Sequence, residues 1–326
     1  MNKLFKVFIL LINFPLMVLA ASGTPQDKLD RQLLDAAEID DNVAVTTLLG
    51  KGANINVVNE FGKSALMLAS ENNNIATAKI LIDHGANVNV RSIVHCTALT
   101  LASAFGSESI VDMLLEKKAD VHNKTRVGWD ALMIASRQGY EKIVRKLLEA
   151  QANPSETDKN GETALIGAVI NDRIKVVKIL LEHGANPNQG NHQGITSLMY
   201  ASEKGFLEII QLLLSKGAQV DAKDHEGATA LLWAAEHGNG LIVEKLIENQ
   251  SNFNLQDQEG NTALMEAAQG GFTEIVSFLL EKGAKADLTN KEGQTALEKV
   301  QRLRHLTPHH KDIIELLQNA AGKTTK

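Results

Sequence analysis

The chain has little of what closes, kinks or stiffens a globular fold. Its 326 residues include one cysteine, Cys96, so no disulfide can form within it. There are five prolines, and aromatics make up 4% of the chain, so any core must be built from Leu, Ile, Val and Ala. A basic balance is missing too. The net charge of −6 and a pI near 5.9 argue against nucleic acid as a partner, which would want a basic face. Catalytic signatures are also absent. There is no Gly-x-Ser-x-Gly, no pair of zinc-spaced cysteines and no ligand spacing among the ten histidines. Gly62-Lys63-Ser64 looks like the end of a phosphate-binding loop, but Val57 stands where that loop needs glycine. His309 and His310 read as surface residues. No enzymatic activity, cofactor or metal is expected.

What is present is a period. Leucine recurs every 33 residues at Leu33, Leu66, Leu99, Leu132, Leu165, Leu198, Leu231, Leu264 and Leu297. A fixed period of this length signals stacked supersecondary units rather than one core. Two residues before each marker from the second onward stands Ser64, Thr97, Asp130, Thr163, Thr196, Thr229, Thr262 or Thr295. Four before it stands glycine, with His95 as the exception.

The unit from Gly227 to Glu259 shows the physics. Gly227 permits a turn with positive φ, and Thr229 can cap a helix start. Leu231, Leu232, Ala234 and Ala235 make a short first helix, and Gly238 breaks it. Ile242, Val243, Leu246 and Ile247 then give a second helix an apolar stripe. Neither helix can bury its stripe alone, so neighbouring units must stack.

This pattern resembles the ankyrin repeat, in its period, its paired Ile-Val and Leu-Leu positions, and its Gly-Ala-Asn-x-Asn ends at Gly85–Asn89 and Gly184–Asn188. The resemblance implies an all-α solenoid of about nine helix-turn-helix repeats with loop or β-hairpin tips. The family's Thr-Pro-Leu-His is altered in every repeat after the first, as in Thr163-Ala164-Leu165-Ile166. Without the proline and the turn-bracing histidine, slightly looser turns are expected. The repeats fall near 29–58, 59–91, 92–124, 125–157, 158–190, 191–223, 224–256, 257–289 and 290–320, followed by a tail at 321–326. The first and last repeats are atypical and polar, as caps should be.

The N-terminus carries an address. Lys3 and Lys6 precede an apolar run from Val7 to Ala21, broken by Asn13 and Pro15, which ends in small residues. This reads as a secretory signal peptide over 1–20, cleaved after Ala20, with a linker at 21–28. The run is short for a membrane span, so no span is expected once it is removed. Export follows, to the periplasm if the source is Gram-negative and otherwise as a secreted protein.

Repeat columns point to a binding face. Five residues before the marker, Phe61, Val94 and Val127 give way to Asn160, Gln193, Glu226, Glu259 and Glu292. Three before it, Lys63, Cys96 and Trp129 give way to Glu162, Ile195, Ala228, Asn261 and Gln294. Both columns are expected at exposed tips, where an apolar patch marks an interaction site. The expected contacts are Phe61, Ile93, Val94, Phe105, Val127 and Trp129, with Arg126 and Arg137 as a polar rim. Tyr200 and Trp233 are expected to pack on the first helices. The functional expectation is an exported, non-catalytic, monomeric module that holds a protein partner in its concave face as scaffold or stabiliser. The alternative is an inhibitor or immunity protein that neutralises a toxin or enzyme.

Overall fold

The structure is a computed structural model that describes residues 24–324, with side chains to 321. The expected signal peptide lies outside the described residues. The described chain folds as nine pairs of short antiparallel helices, Pro25–Glu38 with Asn42–Gly50 through to Ala296–Gln301 with Pro308–Thr324. Among the described residues there is no strand; isolated bridges join Val58 to Ser64 and Thr157 to Thr163. Nor is any helix there long and apolar enough to cross a membrane.

Two compact units are formed. One holds the described residues up to Ala135 together with Arg145–Ala152, and the other holds Ser136–Val144 with Asn153 onward. Within each, first helices pack on first helices and second helices on second helices. The marker leucines from Leu33 to Leu264 are at most 1% exposed, which is why the period tolerates no slip. Leu297, in the atypical last helix pair, is half-buried.

From the second marker onward, the residue two before it caps a first helix. Thr163 Oγ1 accepts from the Ile166 N–H at 3.2 Å, and Asp130 Oδ1 from the Met133 N–H at 2.8 Å. The cap works because an extended residue at that place turns its side-chain oxygen toward amides the helix leaves unbonded.

The turns before these caps are braced by hydrogen bonds. The residue seven before the marker is Asn, Asp, Ser or Thr in each repeat after the first. Asp224 is representative. Its N–H donates to the Ala228 carbonyl at 3.0 Å, and its Oδ1 accepts from the N–H groups of Glu226 and Ala228 at 2.9 and 2.8 Å. The short polar side chain thus braces the turn from inside, as Asx side chains do. Where glycine is missing, His95 itself adopts φ +62°. At Gly161, φ is +79°, and a Cβ would lie 2.6 Å from the His192 backbone nitrogen, so glycine is also required by the next repeat's approach.

Loops between repeats are tied by asparagine. Asn56 Oδ1 accepts from the Asn87 N–H at 2.8 Å, and Asn89 Oδ1 from the Asp120 N–H at 2.9 Å, in the first unit. Asn188 Oδ1 accepts from the Gln219 N–H at 2.7 Å, and Asn254 Oδ1 from the Lys285 N–H at 2.9 Å, in the second. The recurring Asn-x-Asn is therefore a stacking device, since each second asparagine pairs a backbone amide of the following repeat.

The ends differ from expectation in two places. Thr24 and Asp27 form a capping box, so the first helix starts at Pro25 and takes in residues expected as linker. His310 is not a surface residue. It is 8% exposed, because its ring is inserted between Thr307, whose N–H lies 3.1 Å from Nδ1, and the Gln269 carbonyl, 3.1 Å from Nε2.

Candidate interaction surface

The loop tips are joined rung to rung by backbone. The Ile93 N–H donates to the Phe61 carbonyl at 3.0 Å, and the Arg126 N–H to the Val94 carbonyl at 2.9 Å. The same bridge recurs in the second unit from His192 to Asn160, His225 to Gln193, Gln258 to Glu226 and Lys291 to Glu259. Each tip is thereby fixed against its neighbour, which presents side chains at low entropic cost to a partner.

In the first unit these tips carry apolar groups. Ile93 is 52% exposed and Val127 41%, while Phe61 and Val94 are half-buried; Phe105, also half-buried, lies off the tips as the last residue of the helix Ala98–Phe105. Arg126 is exposed, and its guanidinium donates to the Ile93 carbonyl at 2.7 Å, which lays its stem along the tip.

Trp129 departs from this group. It was expected at an exposed tip but is 6% exposed, and no residue of its column is exposed: Lys63 is 6% exposed, Cys96 1% and Gln294 7%, while Glu162, Ile195, Ala228 and Asn261 are half-buried. The reason is geometric. The residue three before the marker lies on the return limb of the turn, where its carbonyl accepts the N–H seven before the marker, as Thr125 donates to Trp129 at 2.9 Å. That limb runs beneath the tip toward the first helix. Polar occupants survive there by pairing: Lys63 bonds Glu71 at 2.6 Å, both side chains being under 10% exposed.

Arg137 belongs to the second unit. It pairs with Glu162 and its stem lies across Gly167, where a Cβ would come within 2.8 Å of its Cγ.

The second unit also carries a cleft of about 530 Å³, whose lining includes Asp224, Glu226, Trp233, Glu236, His237 and Lys299. Trp233 Nε1 donates to Asp224 Oδ2 at 3.1 Å. The His237 ring stacks on the indole with 9° between planes and 6.3 Å between centroids, and Tyr200 lies 6.4 Å away, tilted by 58°. Asn191 Nδ2 donates to the Tyr200 oxygen at 3.2 Å. Burial, then the negative charges of Glu162 and Glu203, push the Tyr200 hydroxyl above its usual pKa, so it stays protonated. Lys299 bonds Glu266 at 2.9 Å and Asn261 at 3.0 Å. Tyr200 and Trp233 do pack on the first helices, as expected from sequence, but both remain half-buried, and Trp233 faces the cleft. The signal for it was a change of column: two residues after the marker, Leu68, Leu101 and Ile134 become Tyr200, Trp233, Glu266 and Lys299.

These features meet in comparisons with known proteins. A family model described as ankyrin repeats matches residues 33–125, 117–191, 185–257 and 231–326. The chain belongs to the ankyrin-repeat family. Its ankyrin repeats are similar to the crystal structure of the human ASB11 ankyrin repeat domain, with 29% identity and a TM-score of 0.61 over 68% of this chain and 98% of that one. No curated protein matches. Ankyrin repeats are in general protein–protein interaction modules, and this chain has their all-helical repeat architecture.

Proposed function

We propose that this chain is an exported, non-catalytic module that holds a protein partner on the face built from its loop tips and first helices, as a scaffold or stabiliser. The observation that carries the reading is the pair Ile93 and Val127. They are large apolar side chains, 52% and 41% exposed, on tips that hydrogen bonds hold rigid. The fold has no need of apolar groups at these tips, since later repeats place Gln193 and Glu226 in the column of Val127. Contiguous exposed apolar surface in a soluble protein marks a binding site. Export is supported by Lys3, Lys6 and the apolar run that follows them.

The test has two arms. N-terminal sequencing of protein from its native compartment should find Ala21 or a near neighbour first; an intact Met1 in a cytosolic fraction would remove export. Capture from the same fraction, followed by mass spectrometry, should return a protein that the double variant Ile93→Ser/Val127→Ser loses while its melting curve stays in place. Retention of that protein by the double variant would remove the tip face.

A further inference from the structure

An asparagine followed by glycine is open to loss of its side-chain amide, because glycine puts no side chain in the way of its own attacking nitrogen. The sequence holds two such pairs, Asn160–Gly161 and Asn239–Gly240. Both lie in the second unit, and the fold treats them differently. Asn239 is half-buried and stands at the N-cap of the helix Gly240–Glu248. Its Nδ2 donates to the Ser202 carbonyl at 2.7 Å and to the Glu203 carbonyl at 2.8 Å, which ties its repeat to the one before. Asn160 sits on a loop tip, with an exposed side chain that makes no hydrogen bond among the described residues. The glycine after it cannot be exchanged, since its φ is +79° and a Cβ would meet His192. The asparagine can be, because the same column holds Phe61, Val94, Gln193 and Glu226 in other repeats.

We propose that Asn160 is a modification site, converted in the folded protein to aspartate and isoaspartate, while its hydrogen bonds keep Asn239 intact. The Gly161 nitrogen attacks Asn160 Cγ and a C–N bond forms. The proton of that nitrogen passes through solvent to the side-chain nitrogen, which leaves as ammonia and closes a five-membered succinimide. Water then opens either ring carbonyl, so the net change is hydroxyl for amine and no oxidant is needed. At Asn160 the attack asks the Gly161 N–H to release the Asp158 carbonyl, 3.1 Å away, and nothing holds the carboxamide. At Asn239 the Gly240 N–H must likewise leave the Gly238 carbonyl, but the carboxamide must also give up both its acceptors and unseat a helix start. Aspartate at 160 adds a carboxylate to a column that carries Glu226, Glu259 and Glu292 further along. Isoaspartate lengthens the main chain by one carbon, which puts the Asp158–Gly161 turn bond out of register. The tip of this repeat thus carries a slow, one-way change of charge and shape.

The experiment incubates the full chain in mildly alkaline buffer, folded in one sample and unfolded in urea in another, and follows both by peptide mapping. Conversion reads as a mass gain of about 1 Da, split between two products of equal mass. In the folded protein Asn160 should convert at least about tenfold faster than Asn239, the margin that two further hydrogen bonds provide. In urea the two rates should agree within about twofold, because only the shared Asn-Gly sequence is left to set them. Asn160→Ser should abolish the gain in its tryptic fragment, which separates this site from Asn171 in the same fragment. Its melting curve should stay in place, because the side chain is exposed. Equal rates at the two asparagines in the folded protein overturn the proposal. So does an Asn160 that stays intact there while the urea sample is converted, or a gain that survives Asn160→Ser.

Discussion

Arg137 lies over the bare backbone of Gly167 and reaches Glu162, so a glycine in mid-helix is kept to make room for an ion pair. A glycine inside a helix costs roughly 0.5–1 kcal/mol relative to alanine. Gly167→Ala would ordinarily recover that sum. Here the new methyl would sit 2.8 Å from Arg137 Cγ and displace a side chain that is 11% exposed and paired with a Glu162 side chain that is 16% exposed. Breaking a pair this sheltered should cost more than the helix gains, leaving a net loss of about 1 kcal/mol. In an Arg137→Ala background the obstacle is gone, and the same change should stabilise by about 0.5–1 kcal/mol. Urea titration of the four proteins checks this. The same sign for Gly167→Ala in both backgrounds would show that the contact is slack.

The repeat fold was legible because each unit faces the same demand. Leu165 must enter the same slot as Leu198, and Thr163 must cap as Thr196 does, so the identities recur and can be counted. Interior columns that accept either polar or apolar residues are not legible in this way. Trp129 and Glu162 share a column, and the glutamate there reads as solvent-exposed. It is in fact sheltered by Arg137, which lies 25 residues earlier in the chain and pairs with it directly, its stem passing over Gly167. No period announces that partnership. The cleft was hidden for a related reason. Trp233 packs, as half-buried aromatics do, and only its hydrogen bond to Asp224 and its place in the cleft lining set it apart.

Trp129 and Ile93 should separate packing from recognition. Trp129 is 6% exposed and Ile93 52%. Trp129→Ala removes a large buried ring and should cost about 3–5 kcal/mol of stability. Ile93→Ala removes atoms that are largely in water and should cost under about 1 kcal/mol. The order reverses for partner capture at temperatures where both proteins are folded, because Ile93 is on the tip face and Trp129 is beneath it. Thermal melts and capture on the same preparations give both readings. A Trp129→Ala protein that melts with the wild type would put the indole back at the surface.

Cys96 links stability to alkaline pH. Its side chain is 1% exposed, and burial pushes the thiol up to about 11, partly offset by the Lys63 ammonium and by hydrogen bonding from Ser92 and Thr100. In the unfolded chain the thiol ionises near its usual value of about 8.5–9. A folded pKa raised above the unfolded one means the native state binds the proton more tightly. Its contribution is then whole below the unfolded pKa and is lost as pH rises through the folded one. Between about pH 9 and 11 the unfolded state gains by ionising while the native state does not, which removes on the order of 2–3 kcal/mol. Lysines and tyrosines titrate in the same range, so the informative quantity is the difference from Cys96→Ala. That variant should begin less stable at pH 8, since a small side chain is lost from a packed site, and then fall less steeply with pH than the wild type. Urea titrations at three pH values across this window measure both slopes. Parallel slopes would mean that the thiol ionises as readily in the native state as in the unfolded chain, which a side chain closed off beneath the tip by Ser92 and Thr100 should prevent.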